Sequence, residues 1–124
     1  MEYKNRNVLA LAYMGDGVYE AYIRKHLIDK GIEKVNELQK EATAYVSAKG
    51  QAMYLHKMID NNFLSEEELQ IVYRARNHKS NSHPKHTDII TYKYATGLEA
   101  LIGYLYLIEN KDRIEEIMNY IFNS

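Results

Sequence analysis

Apolar residues recur every three or four positions between Val8 and Ile28. This spacing places them on one face of an α-helix and differs from the period of two that a half-buried strand requires. Asn7 can cap the start of this helix, and Gly31 lies just past its end. Nowhere does the chain show sustained alternation of β-branched residues with hairpin turns. The sequence therefore predicts an all-α fold.

A second helix is predicted from Asn36 to about Ile59, with a bend near Gly50. Gln39 lies three residues after Asn36, which is the spacing of a capping box. We therefore expect the side chain of Asn36 to cap this helix.

A third helix is predicted to begin at Ser65 and to end near Arg76. Glu68 completes a second capping box with Ser65. The polar segment 77–87 follows, and it contains the only proline of the chain, Pro84. This composition is typical of a loop.

The last part of the chain predicts two more helices. The fourth runs from about Asp88 to Ile108 and is strongly apolar from Leu98 onward. Asp112 with Glu115 is predicted to start a short fifth helix.

The bulk properties exclude several classes of protein. A length of 124 residues corresponds to one domain, which we assign to residues 1–124. No apolar run reaches the roughly 18 residues of a membrane span, and the N-terminus lacks the layout of a signal peptide. The absence of cysteines excludes disulfides and cysteine-ligated zinc and agrees with a cytoplasmic protein. A net charge of −1 argues against nucleic-acid binding through overall charge.

Asp16 interrupts the apolar part of the first helix and lies between Gly15 and Gly17. At about 100° per residue, it lies within roughly 60° of Ala12 and Tyr19 around the helix, so we expect it to face packed surface. The glycines carry no side chains, so both would let another helix approach closely.

Glu99 is a second acid in apolar surroundings, since it is the only charged residue between Tyr94 and Leu107. One interpretation is that each acid is buried and bonded to a tyrosine hydroxyl or to a backbone group. The other is that Asp16 and Glu99 bind Mg²⁺ together, because this ion takes oxygen ligands, usually one or two carboxylates with waters and phosphate oxygens. A cation would also remove the repulsion between neighbouring carboxylates, which otherwise forces one of them neutral.

The segment 74–93 is basic on an otherwise balanced protein. It holds five Lys and Arg residues, three of the five histidines and a single acid. These cations could contact the phosphates of a nucleic acid, or they could belong to a solvated surface loop. The histidines His78, His83 and His86 are irregularly spaced and lack partner cysteines, which argues against a zinc site.

Two stretches of the sequence resemble the signature helices of ribonuclease III nuclease domains. They are LALAYMGDGVYEAYI at 9–23 and ATGLEALIGYLYL at 95–107. The resemblance is closer to the Mini-ribonuclease 3 group, in which a ribonuclease III domain stands alone without a double-stranded-RNA-binding domain. It extends through VSAKGQA, RNHKS, PKHTD and TYKYAT and covers nearly the whole chain. It implies the helical fold of the ribonuclease III endonuclease domain.

The resemblance also implies a set of site residues. The central aspartate of the family falls on Asp16 and the essential glutamate on Glu99, so both are expected to be catalytic and to bind Mg²⁺. A further family acid falls on Glu37, which could instead be an acid favoured by the helix dipole in a first turn. The residues expected to contact RNA are Arg74, Arg76, Asn77, Lys79, Lys85 and Lys49.

The chain departs from full-length ribonuclease III at three acidic positions. Ala12, Leu9 and Thr96 stand where that enzyme usually carries carboxylates. Mini-ribonuclease 3 proteins share this smaller carboxylate set, which leaves the number of metal ions open.

The function implied by the resemblance is Mg²⁺-dependent cleavage of double-stranded RNA by a homodimer that leaves 5′-phosphates. The implied substrate is precursor large-subunit (23S) ribosomal RNA, in the context of a ribosomal protein or the pre-ribosome. A-form duplexes are recognised mainly through shape, phosphates and 2′-hydroxyls, which a basic loop can contact. The alternatives are a catalytically inactive RNA-binding scaffold of the same fold and a plain helical interaction domain with structural acids.

Overall fold

The computed structural model describes residues 2–79, 85 and 87–124. Over these residues it contains helices and no β-strand, so the predicted all-α fold is confirmed. No helix in this part of the chain is both long and apolar enough to cross a membrane. After a short 3₁₀ turn at Tyr3–Asn5, the helices are α1 Val8–Asp29, α2 Val35–Val46, α3 Ala48–Asp60, α4 Glu66–Arg76, α5 Ile89–Leu107 and α6 Lys111–Phe122.

Three predicted helix starts are confirmed by their capping bonds. The side chain of Asn7 accepts a hydrogen bond from the backbone N–H of Leu9 at 2.8 Å and so caps α1. Ser65 and Glu68 form both bonds of a capping box at the start of α4. Asp88 accepts from the backbone N–H of Thr91 at 2.9 Å and caps α5.

The predicted second helix is two helices. The chain breaks at Ser47, which has extended backbone angles and whose hydroxyl accepts from the N–H of Gly50 at 3.1 Å. The predicted bend near Gly50 is therefore wrong. Glycine is needed there because a Cβ would lie 2.1 Å from the carbonyl oxygen of Ala44. Ala44 and Gly50 approach each other because the chain turns a corner between α2 and α3. The spacing of apolar residues does not reveal this approach.

Two predicted caps are also wrong. Helix α2 starts at Val35 after Lys34, which makes no side-chain capping bond, so Asn36 lies inside the helix. Helix α6 is capped by Asn110, which accepts from the N–H of Arg113 at 3.2 Å, rather than by Asp112. In both cases the helix begins one or two residues before the predicted start, within the usual uncertainty of helix ends.

Helices α1 and α5 form the centre of the fold and approach each other through glycines. A Cβ built on Gly15 would lie 1.7 Å from the carbonyl oxygen of Glu99. One built on Gly103 would lie 1.8 Å from the carbonyl oxygen of Leu11. The prediction that both glycines beside Asp16 make room for a helix holds only for Gly15, because a Cβ on Gly17 would meet nothing within 4 Å.

The hydrophobic core surrounds this central pair. Helix α5 packs against α1, α3, α4 and α6, and most of its side chains from Ala95 to Leu105 are buried. An ion pair of 2.8 Å between Arg113 and Glu68 joins α6 to α4. The core fixes the rotation and the axial position of α1 and α5, and these two helices carry both predicted acids. The largest fully buried side chains include Tyr19, Leu11, Ile23, Leu27, Leu55, Met58, Leu98 and Leu101.

Candidate active site

The close packing of α1 on α5 brings Asp16 and Glu99 together. Gly15 contacts the backbone of Glu99, and the next residue, Asp16, places its carboxylate within hydrogen-bond reach of the Glu99 carboxylate. Glu99 is partly buried, whereas Asp16 is exposed. The prediction that Asp16 faces packed surface is therefore wrong, because position 16 lies at the solvent edge of the contact between the two helices. The pair therefore has one partly buried and one accessible member.

The environment of Glu99 opposes its negative charge. Burial, together with the neighbouring Asp16 carboxylate, raises the pKa of the Glu99 carboxyl to about 8, while the amide of Gln51 acts in the opposite direction. At neutral pH the Glu99 carboxyl is therefore mostly protonated when no cation is bound. At neutral pH, a second negative charge on this pair is therefore unfavourable unless a positive charge compensates it.

The interpretation of both acids as structural groups loses its support. Among the residues that the structure describes, no tyrosine hydroxyl donates to either carboxylate. Two buried tyrosines of α1 and α5 donate elsewhere: Tyr19 to the carbonyl oxygen of Tyr45 at 2.8 Å and Tyr104 to Glu67 at 2.8 Å. Each acid instead has the other as its neighbour.

Two residues near the pair were missed by sequence reasoning. Gln51 of α3 lies close enough to the Glu99 carboxylate to lower its pKa, and Glu20 lies close enough to raise it. Gln51 stands in the VSAKGQA stretch, and Glu20 is one helical turn after Asp16. The spacing on α1 was a usable signal for Glu20, whereas nothing in the sequence connects position 51 to position 99.

The donor set fits a small hard cation. Mg²⁺ is usually held by one or two carboxylates and keeps several waters, and Asp16 with Glu99 supplies two such groups at an accessible edge. Over the described ranges, no group of three or more acidic, histidine or cysteine side chains lies close enough to hold a metal. Glu37, which is exposed in the first turn of α2, therefore does not complete a three-carboxylate site with Asp16 and Glu99.

The end of α4 carries two of the predicted RNA contacts in different settings. The guanidinium of Arg74 donates to the carbonyl oxygens of Lys4 and Arg6 and so holds the N-terminal segment against α4. Arg76 lies over the rings of Tyr73 and Tyr94, at 4.4 and 5.6 Å from their centroids. Arg76 thus presents an ordered cation between two aromatic rings, while the cation of Arg74 is already bonded to backbone.

Arg76 also borders a shallow depression at the start of α5. Asn77, Ile90, Lys93 and Tyr94 form the rest of its lining. The Nη1 group of Arg76 donates to the hydroxyl of Tyr94 at 3.1 Å, and its Nε donates to Asn77 at 3.1 Å. These bonds hold the guanidinium and the amide of Asn77 side by side, so two predicted RNA-contacting residues share one surface.

The remaining predicted cations, Lys79, Lys85 and Lys49, are all exposed. Lys49 lies in the first turn of α3. The predicted loop 77–87 is described only in part, because 80–84 and 86 lie outside the described residues, and with them His83 and His86. His78, at the end of α4, is partly buried.

We predict that Glu99→Gln stabilises the metal-free protein at alkaline pH. The unfolded carboxyl titrates near 4.5 and the folded one at about 8. Between these values the folded state binds more protons, so wild-type stability falls as the pH rises through this window and stays low above it. A glutamine at position 99 does not ionise, so the variant does not lose stability in this way. Thermal unfolding in EDTA should show nearly equal stability at pH 4.5 and an advantage for Glu99→Gln on the order of a few kcal/mol at pH 9.

Equal melting temperatures of the two proteins at pH 9 would contradict this prediction. Adding a divalent cation at pH 9 supplies the control. It should stabilise the wild type and leave Glu99→Gln much less changed, because only the wild type keeps both carboxylates.

Comparison with known proteins shows what the whole chain is similar to. The ribonuclease III domain family matches residues 9–110 of the chain. The chain is 48% identical to Mini-ribonuclease 3 of Enterococcus faecalis over 96% of its own length and 90% of that protein. It is 51% identical to Mini-ribonuclease 3 of Brevibacillus brevis over 94% of its own length and 85% of the relative. A crystal structure of a protein from Fusobacterium nucleatum superposes with a TM-score of 0.87 at 35% identity, covering 97% of this chain and 96% of that one.

Proposed function

The chain belongs to the ribonuclease III family and, within it, to the Mini-ribonuclease 3 group, and from this premise we propose that it is a Mg²⁺-dependent endonuclease that cuts double-stranded RNA. The observation that carries the proposal is the pairing of the Asp16 and Glu99 carboxylates across the contact between α1 and α5. Both residues stand at the positions of the family motifs that the sequence predicted to be catalytic.

Asp16 and Glu99 would hold the Mg²⁺ ion. When bound, Mg²⁺ helps to form the attacking hydroxide from water and stabilises the leaving oxygen of a phosphodiester. Asp16 is accessible to the incoming phosphate, while Glu99 must lose its proton before it can contribute its charge. Breaking the bond from phosphorus to the 3′-oxygen leaves a 5′-phosphate and a 3′-hydroxyl.

The duplex would lie across the basic end of α4 and the start of α5. Arg76, Asn77, Lys79 and Lys85 would contact phosphates there, with Lys49 as a further cation on α3. Arg74 would support this surface by holding the N-terminal segment in place, since its guanidinium already donates to two backbone carbonyls, and it would meet RNA from the same helix end.

A homodimer would place two such sites on one duplex. The support is an apolar stripe on α1 beside Asp16, where Tyr13 is 85% exposed and Leu9 is 42% exposed. A symmetric pairing of α1 would cover this stripe and set the two Asp16–Glu99 pairs apart across a two-fold axis, one for each strand.

The substrate we propose is a double-stranded stem of precursor 23S ribosomal RNA, processed in the cytoplasm within a pre-ribosome or with a ribosomal protein. The rival proposal is an inactive RNA-binding scaffold, which the small carboxylate set favours. The presence and contact of both Asp16 and Glu99 favour the enzyme.

The direct test is incubation of the purified protein with an RNA duplex and with either single strand of the same sequence. We expect the duplex alone to be cut in Mg²⁺, both strands to acquire 5′-phosphates, and EDTA to stop the reaction. Binding of the duplex without any cleavage in Mg²⁺ would support the scaffold instead, and cleavage in EDTA would exclude the metal.

We predict that replacing Lys79 and Lys85 together by Ala weakens duplex binding and reduces its salt dependence. Each phosphate contact that is lost should lower the slope of log affinity against log salt by about 1. Binding of the uncleaved duplex in EDTA at several salt concentrations measures this slope. A double variant of Lys30 and Lys111 to Ala changes the net charge equally and should keep the slope. Equal slopes for the two double variants would mean that Lys79 and Lys85 do not touch phosphate.

A further inference from the structure

Gln51 of α3 is a buried side chain, 3% exposed, with an unsatisfied polar atom. The other two buried polar side chains of the described residues are bonded: Glu68 accepts from Arg113 at 2.8 Å, and Thr96 donates to the carbonyl oxygen of Tyr92 at 3.0 Å. The Oε1 atom of Gln51, in contrast, is buried without a donor. The Nδ1 atom of His78 is also buried without a partner, but the His78 side chain as a whole is only partly buried. A buried acceptor left unpaired destabilises the fold, so its retention needs a reason.

The amide nitrogen of Gln51 links two parts of the fold. It donates to the carbonyl oxygen of Val46 at 3.0 Å, at the end of α2 where the helix breaks. The Gln51 side chain also lies close enough to the carboxylate of Glu99 on α5 to lower the pKa of that group, as an N–H donor does. A primary amide has two N–H groups, so one can serve Val46 while the other faces Glu99. The corner between α2 and α3 therefore places an amide beside the Glu99 carboxylate.

A purely structural role does not account for this arrangement. Satisfying Val46 needs one N–H of Gln51, which leaves the second for the neighbouring carboxylate of Glu99, the one that contacts Asp16. With both N–H groups used in this way, Oε1 is left buried without a donor.

We propose that Gln51 is a positioning residue of the Asp16–Glu99 site. One of its N–H groups is anchored on the carbonyl oxygen of Val46, and the other orients the Glu99 carboxylate for binding of the divalent cation. The inference rests on the proposed metal-dependent function and adds a third side chain to the site. Groups that orient metal-binding side chains typically contribute 10–100-fold to metal affinity.

The test is binding of Mn²⁺, a paramagnetic substitute for Mg²⁺, to the full chain without RNA, measured by electron paramagnetic resonance. Gln51→Met keeps the volume of the side chain and removes the amide. We expect its Mn²⁺ dissociation constant to rise at least about 10-fold. The matched control is Gln70→Met, the same replacement at an exposed position of α4, which should bind Mn²⁺ like the wild type.

A structural role for Gln51 predicts a different result. Gln51→Met would then have a lower melting temperature in EDTA and an unchanged Mn²⁺ dissociation constant, and this outcome overturns the proposal. Gln51→Asn keeps the amide but is one methylene too short to reach both partners. If Gln51→Met does not fold, the Mn²⁺ dissociation constant of Gln51→Asn is compared with that of the wild type instead.

The outcomes distinguish the role of Gln51 from the proposed metal cofactor. If the wild type and Gln51→Met bind Mn²⁺ equally well, the proposed role of Gln51 is overturned and the proposed cofactor is not. A wild type that binds no Mn²⁺ overturns the proposed cofactor, and the role of Gln51 with it.

Discussion

Asp16→Asn protein is expected to fold and to bind duplex RNA like the wild type, but to cleave it at least about 100-fold more slowly. The amide has nearly the same shape as the carboxylate and lacks its charge, so the site loses one of two anionic metal ligands. A 100-fold loss corresponds to about 2.7 kcal/mol of transition-state stabilisation, within the range that a metal ion supplies. Single-turnover cleavage of a labelled duplex in Mg²⁺ measures the effect.

The control for this variant is Asp29→Asn, which removes an equal charge from the same helix. Asp29 lies at the end of α1 and pairs with Lys25 at 2.6 Å in an exposed ion pair, so its loss should leave cleavage unchanged. Asp16→Asn should also not lower the melting temperature in EDTA, because it removes the repulsion with Glu99. Cleavage by Asp16→Asn at the wild-type rate would show that the pair is not the metal site.

Gly15→Ala is expected to damage both folding and activity, whereas Gly17→Ala is not. A methyl group on Gly15 would lie 1.7 Å from the carbonyl oxygen of Glu99, so α1 and α5 would have to move apart. Overpacking of this kind destabilises a protein by roughly 1–3 kcal/mol or more, and a displacement of about 1 Å can reduce catalysis about 100-fold. Unfolding in urea and cleavage of duplex RNA measure the two effects.

Gly17→Ala provides an internal comparison two residues away on the same helix. Its Cβ would meet nothing within 4 Å, so the chain should gain about 0.5–1 kcal/mol of stability from the better helix propensity of alanine. Gly103→Ala should behave like Gly15→Ala, because its Cβ would strike the carbonyl oxygen of Leu11. Equal stabilities of the Gly15→Ala and Gly17→Ala proteins would contradict the glycine contact between the central helices.

Much of the fold could be predicted because local rules act on short stretches of chain. The start of α1 at Asn7, the capping box of Ser65 and the cap at Asp88 each depend on a few neighbouring residues. The break at Ser47 escaped prediction because apolar spacing continues across it, while the approach of Ala44 to Gly50 forms only in the folded corner.

Only part of the candidate site could be predicted from the sequence. Asp16 and Glu99 could be found because each is an acid in an apolar helix, and the family motifs converge on the same two positions. Their contact could not be calculated from periodicity, which even predicted the wrong exposure for Asp16. Gln51 could not be found at all, since a lone glutamine in a helix carries no local signal of the carboxylate it meets.

The helical class of this protein and its two acids follow from the amino-acid sequence, because helix periodicity and a charge in apolar surroundings are properties of neighbouring residues. Three further features come from the packing of distant helices: Gly15 and Gly103 bring α1 and α5 into contact, Asp16 stays accessible while Glu99 is partly buried, and Gln51 lies beside Glu99. These depend on how distant segments pack, since burial and mutual repulsion arise only when positions 16, 51 and 99 share one site.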